Sequence, residues 1–472
     1  LMMQMSKPRR PRKGEDPNIV HWHDDLERRL RLQDYCKHDV EVERELYKRL
    51  PPLSVDEQTL WELDAAINGR GFHVDFDLAE AAQKIVQAEA VAIDAEITKI
   101  TDGKITSINQ VAKLGAYIQE HGHAVTSLTK GAVAAALVQQ LPDNVRRLLE
   151  LRQQGAQAAS SKITSLIAGI DDDRRLRGCY VFHRAGPGRW GAVRFQPQNL
   201  KKAQTANIDA AVTAIRAGDL EAVRKIGAPL ALVGDIMRNT IDAAPGCILY
   251  GADFSAVESR VLAWLAGEKW KIGVYKKFDE NGSAATEPYC IVASRILGYT
   301  VTPEDPGRQI GKVSDLANGY GGGLNAWRKF DRSGKYTDVQ VEGFKNAWRA
   351  QHPAVVRFWH NLESILRRAI RTGQRVVLNN LTAEKVNGTL YLTLPSGRRL
   401  AYPEPRLVPG EFGKPQIVFK DNARGAWVEI TSWYGIFVEN VVQAVARDLL
   451  AASMLRLEEN NYPVVLHCHD EA

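Results

Sequence analysis

An α+β fold is predicted for this chain of 472 residues, on three observations. Long stretches between residues 24 and 168, and again between 255 and 373, repeat apolar side chains at helical spacing. Residues 375–432 instead alternate apolar and polar positions around the turn signals Asn387-Gly388 and Ser396-Gly397, the mark of short antiparallel strands. Two separate apolar runs, Cys247 to Phe254 and Val464 to Cys468, read as strands, the first of them buried, and each delivers carboxylates at its far end.

In chain order, residues 1–23 are polar, basic and proline-containing, a flexible lead-in. Residues 24–50 turn helical, with Leu26, Leu30, Tyr35, Val42, Leu46 and Leu50 on the pattern, until Pro51-Pro52 end it. Residues 51–168 are rich in Ala, Leu, Gln and Lys, and predict a helical domain with helices at Glu57–Ile67, Asp77–Ile100, Gln110–His121 and Asn144–Ile167. Over 169–254 the apolar runs shorten and break at glycine and proline (GPGRWGAVRFQPQNL), so a sheet-containing domain begins there. Helical patterns return over 255–374, interrupted at Pro303 to Pro306 and Gly319 to Gly323. After the β-rich segment 375–432, the final stretch 433–472 predicts a helix from about Val438 to Asn460 and then the strand that ends in His469-Asp470-Glu471.

Composition narrows the class. With 44% apolar and 25% charged residues the chain lies in the soluble globular range and is long enough for about three domains. A net charge of +6 suits a nucleic-acid partner without requiring one. The five cysteines show no CxxC pairs or metal-ligand spacing, which argues against a zinc site or disulfide framework and for a reducing compartment. No apolar run approaches the roughly 18 residues that span a bilayer, and the basic KPRRPRK stretch lacks the apolar core of a signal peptide. No membrane partner and a cytoplasmic location are therefore expected. Because the chain opens on Leu1 and stops at Ala472, directly after the carboxylate pair, it reads as a fragment truncated at both ends.

Three segments carry chemistry. Asp253 ends the first apolar run and is followed by a helix bearing Glu258 and Arg260; Asp470 and Glu471 end the second. Strand-end carboxylates from distant parts of a chain are what two-metal phosphoryl transfer requires, because hard cations take oxygen ligands on a rigid support. In DPGRQIGKVSDLANGYGGG, Asp305 can cap a helix with Pro306 at its first position, and Arg308, Lys312, Leu316 and Tyr320 then recur every fourth residue along one stripe. Two cations a turn apart can grip a triphosphate, and an aromatic ring two turns on can stack near a base.

Together, DFSAVESR, the R-x3-K-x7-YG spacing and HDE resemble motifs A, B and C of family A DNA polymerases, in that order, with wording similar to bacteriophage and prophage members. The resemblance implies a right-hand polymerase fold: a helical thumb (51–168), an antiparallel palm sheet (169–254 and 433–472), helical fingers (255–374) and the β-rich 375–432 near the palm. It implies a DNA-directed DNA polymerase that extends a primer in phage or prophage replication, working as a monomer on primer–template DNA and dNTPs. Two Mg²⁺ ions would be bound by Asp253, Asp470 and the backbone carbonyl of Phe254, with Glu471 in support. Arg308 and Lys312 would hold the triphosphate, Lys312 being the proton donor to pyrophosphate. Glu258 would screen the sugar, Tyr320 would stack near the template base, and Arg189, Gln198, Asn199, Gln443 and His469 would contact DNA.

One position departs from the pattern. Leu316 stands where phenylalanine or tyrosine is usual, so Glu258 is expected to lack a hydroxyl partner and sugar discrimination to be altered. Near the N-terminus, Tyr35 and Asp39 resemble the last motif of a DnaQ-like 3′-5′ exonuclease; without the preceding carboxylates, no exonuclease activity is expected from residues 24–50. The alternative function is a weak or inactive fragment that holds primer–template DNA without extending it. An RNA polymerase is disfavoured by Glu258.

Overall fold

The computed structural model describes residues 1–472 except 124, 126, 156, 157, 283–286, 411, 412 and 424. It divides into two compact units, residues 1–62 and 63–472. Among the described residues no helix is long and apolar enough to cross a membrane.

In the first unit the helix Leu26–Arg49 forms where expected, and the Asp25 carboxylate caps it by accepting from the Arg28 N–H. This helix buries none of its residues; Tyr35 and Asp39 lie four apart on it, Tyr35 exposed.

In the second unit the helix Phe76–Ile100 starts where Asp75 accepts from the Leu78 N–H, and it buries Leu78, Ala82, Ile85, Ile93 and Ile97 along one stripe. Where one helix was expected over 144–167 there are two, Asp143–Gly155 and Ala158–Ile167, the positions between them lying outside the described residues. A helix at Lys130–Leu137 was not foreseen. Neither was the strand Phe72–Val74, which pairs antiparallel with Arg175–Leu176 and Ile241–Asp242. Strands of two or three residues are too short to show alternation. One core joins these elements and reaches Leu450, Met454 and Val464 near the C-terminus.

Residues 376–432 form the antiparallel strands that the turn signals predicted. Val376–Leu378, Leu381–Val386, Thr389–Thr393 and Arg399–Pro403 make a four-stranded meander. Asn387 and Gly388 join two of them with φ of 47° and 78°, the paired positive values of a two-residue hairpin turn. A second sheet pairs Arg406–Val408, Gln416–Ala423 and Ala426–Ser432. Leu381, Leu390 and Tyr402 of the meander pack against the helices Val257–Ala266, Pro353–Thr372 and Tyr434–Glu459 in a second core.

The helix Arg308–Asn318 begins later than the expected Pro306; Asp305 accepts from the Gly307 N–H at 2.7 Å, ahead of the first turn. It lies so close to the helix Pro288–Leu297 that a Cβ at Gly311 would come within 2.1 Å of the Tyr289 carbonyl oxygen. Its apolar side, Ile310, Val313 and Ala317, packs with Trp327 and Val341.

The two apolar runs depart from expectation. Cys247 to Phe254 is not a buried strand: Ile248 is 75% exposed and Tyr250 78%. Its cross-chain backbone bonds occur at Ala252, which exchanges with Ala472, and at Phe254, which donates to Asp470. An apolar run becomes a buried strand only when neighbouring strands take its backbone groups, and hydrophobicity alone does not supply them. Val464 to His467 pairs with no strand among the described residues, and Cys468 makes only an isolated bridge with Glu471. There the Tyr180 hydroxyl takes the place of a neighbouring strand, accepting from the His467 N–H and donating to the His467 carbonyl, both at 3.0 Å.

Candidate active site

Asp253 precedes a tight turn in which Ala256 takes a left-handed φ of 53°, and the helix Val257–Ala266 follows. Asp470 follows His469, also left-handed at 54°. The Phe254 N–H donates to the Asp470 carbonyl at 2.9 Å, and Asp253 bridges Glu471, so the two segments are tied backbone to backbone. Burial first, and then the charge of Asp253 facing it, push the Asp470 carboxyl up to about 6. A divalent cation between the two carboxylates would remove the repulsion. Among the described residues no group of three or more His, Cys, Asp or Glu could hold a metal. The donors at hand are two carboxylates and the Phe254 carbonyl, an all-oxygen set suited to a hard cation whose remaining positions go to water or phosphate.

Beside this pair opens a cleft of about 710 Å³. Arg189, Glu258, Leu316, Tyr320, Gln443, His469 and Asp470, seven of the residues singled out in the sequence, line it together. Asp253 and Phe254 border a neighbouring groove with Tyr462 and Ala472. Gln198 and Asn199 sit in a short 3₁₀ turn, where the Asn199 side chain donates to Gln196 and its carbonyl accepts from Lys162; neither lines the cleft.

The expectation that Glu258 lacks a hydroxyl partner is corrected. The Tyr320 hydroxyl donates to Glu258 Oε2 at 2.5 Å, and Arg189 Nη1 donates to Oε1 at 3.2 Å. Tyr320 lies four residues beyond Leu316, just past the end of the helix Arg308–Asn318, and is half-buried where it lines the cleft. Burial, then the Glu258 charge, hold the phenol well above its ordinary range, so it remains a donor. Glu439 was missed by the sequence reading. It lines the cleft, accepts from Gln443 at 3.1 Å, and has its carboxyl raised by burial and then by Glu258. Its place four residues before Gln443 on one helix was the available signal. Burial, then the charge of Arg189, lower the pKa of His469.

On the exposed stripe of the helix Arg308–Asn318, Lys312 faces solvent, while Arg308 pairs with Glu287 at 2.8 Å. Behind it lies a buried network that the sequence did not reveal. Asp315 accepts from Lys271 at 2.7 Å, from the Trp348 indole at 2.9 Å and from the Ser259 hydroxyl at 3.1 Å; Lys271 also lies 3.3 Å from His352. Ser259 adjoins Glu258 and Asp315 adjoins Leu316, so this joint sets the spacing between two walls of the cleft.

The loop bearing Arg189 is held from beneath by two buried arginines. Arg398 donates to the Pro187 carbonyl at 2.8 Å and Arg447 to the Gly188 carbonyl at 3.1 Å, and both pair with Asp448. Next to them His467 stacks on Tyr180 and meets the edge of Trp190.

Comparison with known proteins finds similar sequences and similar folds. The chain is 32% identical, over an alignment of 482 residues, to a DNA polymerase of Bacillus phage SP02, which covers all of this chain and 73% of that protein. A DNA polymerase of Mycobacterium phage D29 is 29% identical over 133 residues, 28% of this chain and 20% of that protein. Among solved structures, the POL domain of Pol1 from M. smegmatis, in complex with DNA primer-template and dNTP, superposes with a TM-score of 0.56 at 16% identity. The match covers 88% of this chain and 62% of that one, and shows a shared fold. No family model matches.

Proposed function

The chain belongs to the bacteriophage members of the family A DNA polymerases, and from that premise we propose that the cleft is where a primer 3′-OH attacks the α-phosphate of a dNTP paired with a DNA template. The single observation that carries this reading is the gathering of Arg189, Glu258, Leu316, Tyr320, Gln443 and Asp470 around one cleft beside the Asp253–Asp470 pair.

Asp253, Asp470 and the Phe254 carbonyl would hold two Mg²⁺ ions, which when bound stabilise charge on the attacking oxygen and the leaving pyrophosphate. Lys312, on the exposed stripe, meets the leaving phosphates and supplies positive charge or a proton as pyrophosphate departs. Arg308 grips the same triphosphate once it leaves Glu287. Glu258, held at both oxygens, presents a fixed wall to the 2′ position of the sugar and leaves no room for a hydroxyl. Arg189, Gln443 and His469 read duplex shape in the minor groove rather than sequence, with Gln198 and Asn199 further along the DNA. Residues 51–168 act as thumb, 255–374 as fingers, and 169–254 with 433–472 as palm. The enzyme acts as a monomer in the host cytoplasm. Tyr35 and Asp39 belong to the tail of a proofreading domain and by themselves cleave nothing.

Primer extension with Mg²⁺ and dNTPs tests this. The chain is expected to extend a primer, and Asp253→Ala to abolish extension while still retaining primer–template in a mobility shift. Binding without extension by the unaltered chain would favour the DNA-holding reading instead.

A further inference from the structure

Beyond the last turn of the helix Arg308–Asn318, the backbone carbonyls of Gly319, Gly321 and Gly322 have no helical partner of their own. Two side chains take all three. The indole N–H of Trp359, 1% exposed, donates to the Gly319 carbonyl at 2.9 Å. A single guanidinium nitrogen of Arg349 donates to the Gly321 carbonyl at 3.0 Å and the Gly322 carbonyl at 3.1 Å. The guanidinium also lies over the Trp359 ring, 5.6 Å from its centroid. Tyr320 stands between these anchored peptides. Gly321 takes a φ of +81°, and a Cβ there would lie 2.3 Å from the Tyr434 ring, so the chain has no room to shift toward that ring.

Arg349 and its neighbour Trp348 share the helix Asp338–Gln351. Trp348 holds Asp315 in the middle of the arginine-bearing helix and Arg349 holds the loop at its end. The Tyr320 hydroxyl, next to the anchored Gly321, makes the 2.5 Å bond to Glu258. Arg349 does not line the cleft.

We infer that Arg349 is a positioning residue for sugar selection: by pinning the Gly321 and Gly322 carbonyls it aims the Tyr320 hydroxyl at Glu258 and keeps that carboxylate where a ribose 2′-hydroxyl would collide with it. This rests on the reading of Glu258 as the sugar screen. Arg349→Met keeps the bulk of the side chain and removes its donors; Arg349→Lys returns a cation able to reach one carbonyl.

The test is the ratio of kcat/KM for dNTP to that for the matching rNTP, measured by single-nucleotide extension. Tyr320→Phe and Arg349→Met should each lower the ratio by a comparable factor, on the order of tenfold for the loss of one charge-assisted hydrogen bond. The double variant should be no worse than either single one, and Arg349→Lys should recover part of the loss. A lower melting temperature with an unchanged ratio, or multiplying effects in the double variant, overturns the inference. Glu258→Ala separates the two layers. If it leaves the ratio unchanged, the reading of Glu258 fails and the inference with it; if it collapses the ratio while Arg349→Met does not, only the inference fails.

Discussion

Glu258 is bound at one oxygen by Tyr320 and at the other by Arg189, so its direction is fixed before any nucleotide arrives. Leu316, 39% exposed a turn away, contributes shape and no hydrogen bond. Sugar selection should therefore respond more to Tyr320→Phe than to Leu316→Tyr. Single-nucleotide kinetics with dNTP and rNTP check this, and a larger change from the leucine variant would contradict it. At the Asp253–Asp470 pair, loss of Asp253 removes the charge that helps raise Asp470.

Between elements, the Asp315–Lys271 pair ties the helix Arg308–Asn318 to the helix Lys269–Asn281. Both side chains are almost fully buried. Burial works most strongly to raise the Asp315 carboxyl, yet Lys271, His352 and Trp348 together outweigh it and the acid is held below its ordinary value. A buried pair of this kind adds little net stability over apolar packing, but breaking one half leaves a stranded charge. Asp315→Leu is expected to cost about 3–5 kcal/mol in urea unfolding. Lys271→Met in the same chain should restore most of it, and a double variant as unstable as the single one would show that the pair is not the cause. The arrangement was invisible in advance because Lys271 and Asp315 are far apart in the chain and each reads singly as a surface charge. By contrast, the 76–100 helix and the Asn387-Gly388 hairpin were legible, since their signals are local periodicity and turn chemistry.

For the molecule as a whole, two buried histidines make stability pH-dependent. His352 is held at about 3 by burial and then by Lys271, and His467 at about 3 by burial and then by His469. Both pKa values are lowered from the ordinary 6.5, so the unfolded chain takes up protons that the folded one refuses. Their contribution is fully present above pH 6.5 and is lost as pH falls from there toward 3, by about 1.4 kcal/mol per histidine per pH unit. Urea unfolding between pH 7.5 and 5 should show this slope, and His352→Gln should flatten it; an unchanged slope would mean that His352 is not buried neutral in solution.

The residues proposed to carry the chemistry, and the order in which they occur, could be singled out from local patterns, because candidate metal ligands and phosphate-gripping cations are recognised by residue type and short spacing. Their grouping could not. Tyr320 turning onto Glu258, Arg349 pinning a glycine turn, Tyr180 standing in for a strand beside His467, and the exposure of Cys247 to Tyr250 depend on which distant groups arrive to complete a hydrogen bond or cover a face. Local sequence states what each backbone and side chain needs, and only the folded chain decides which partner meets that need.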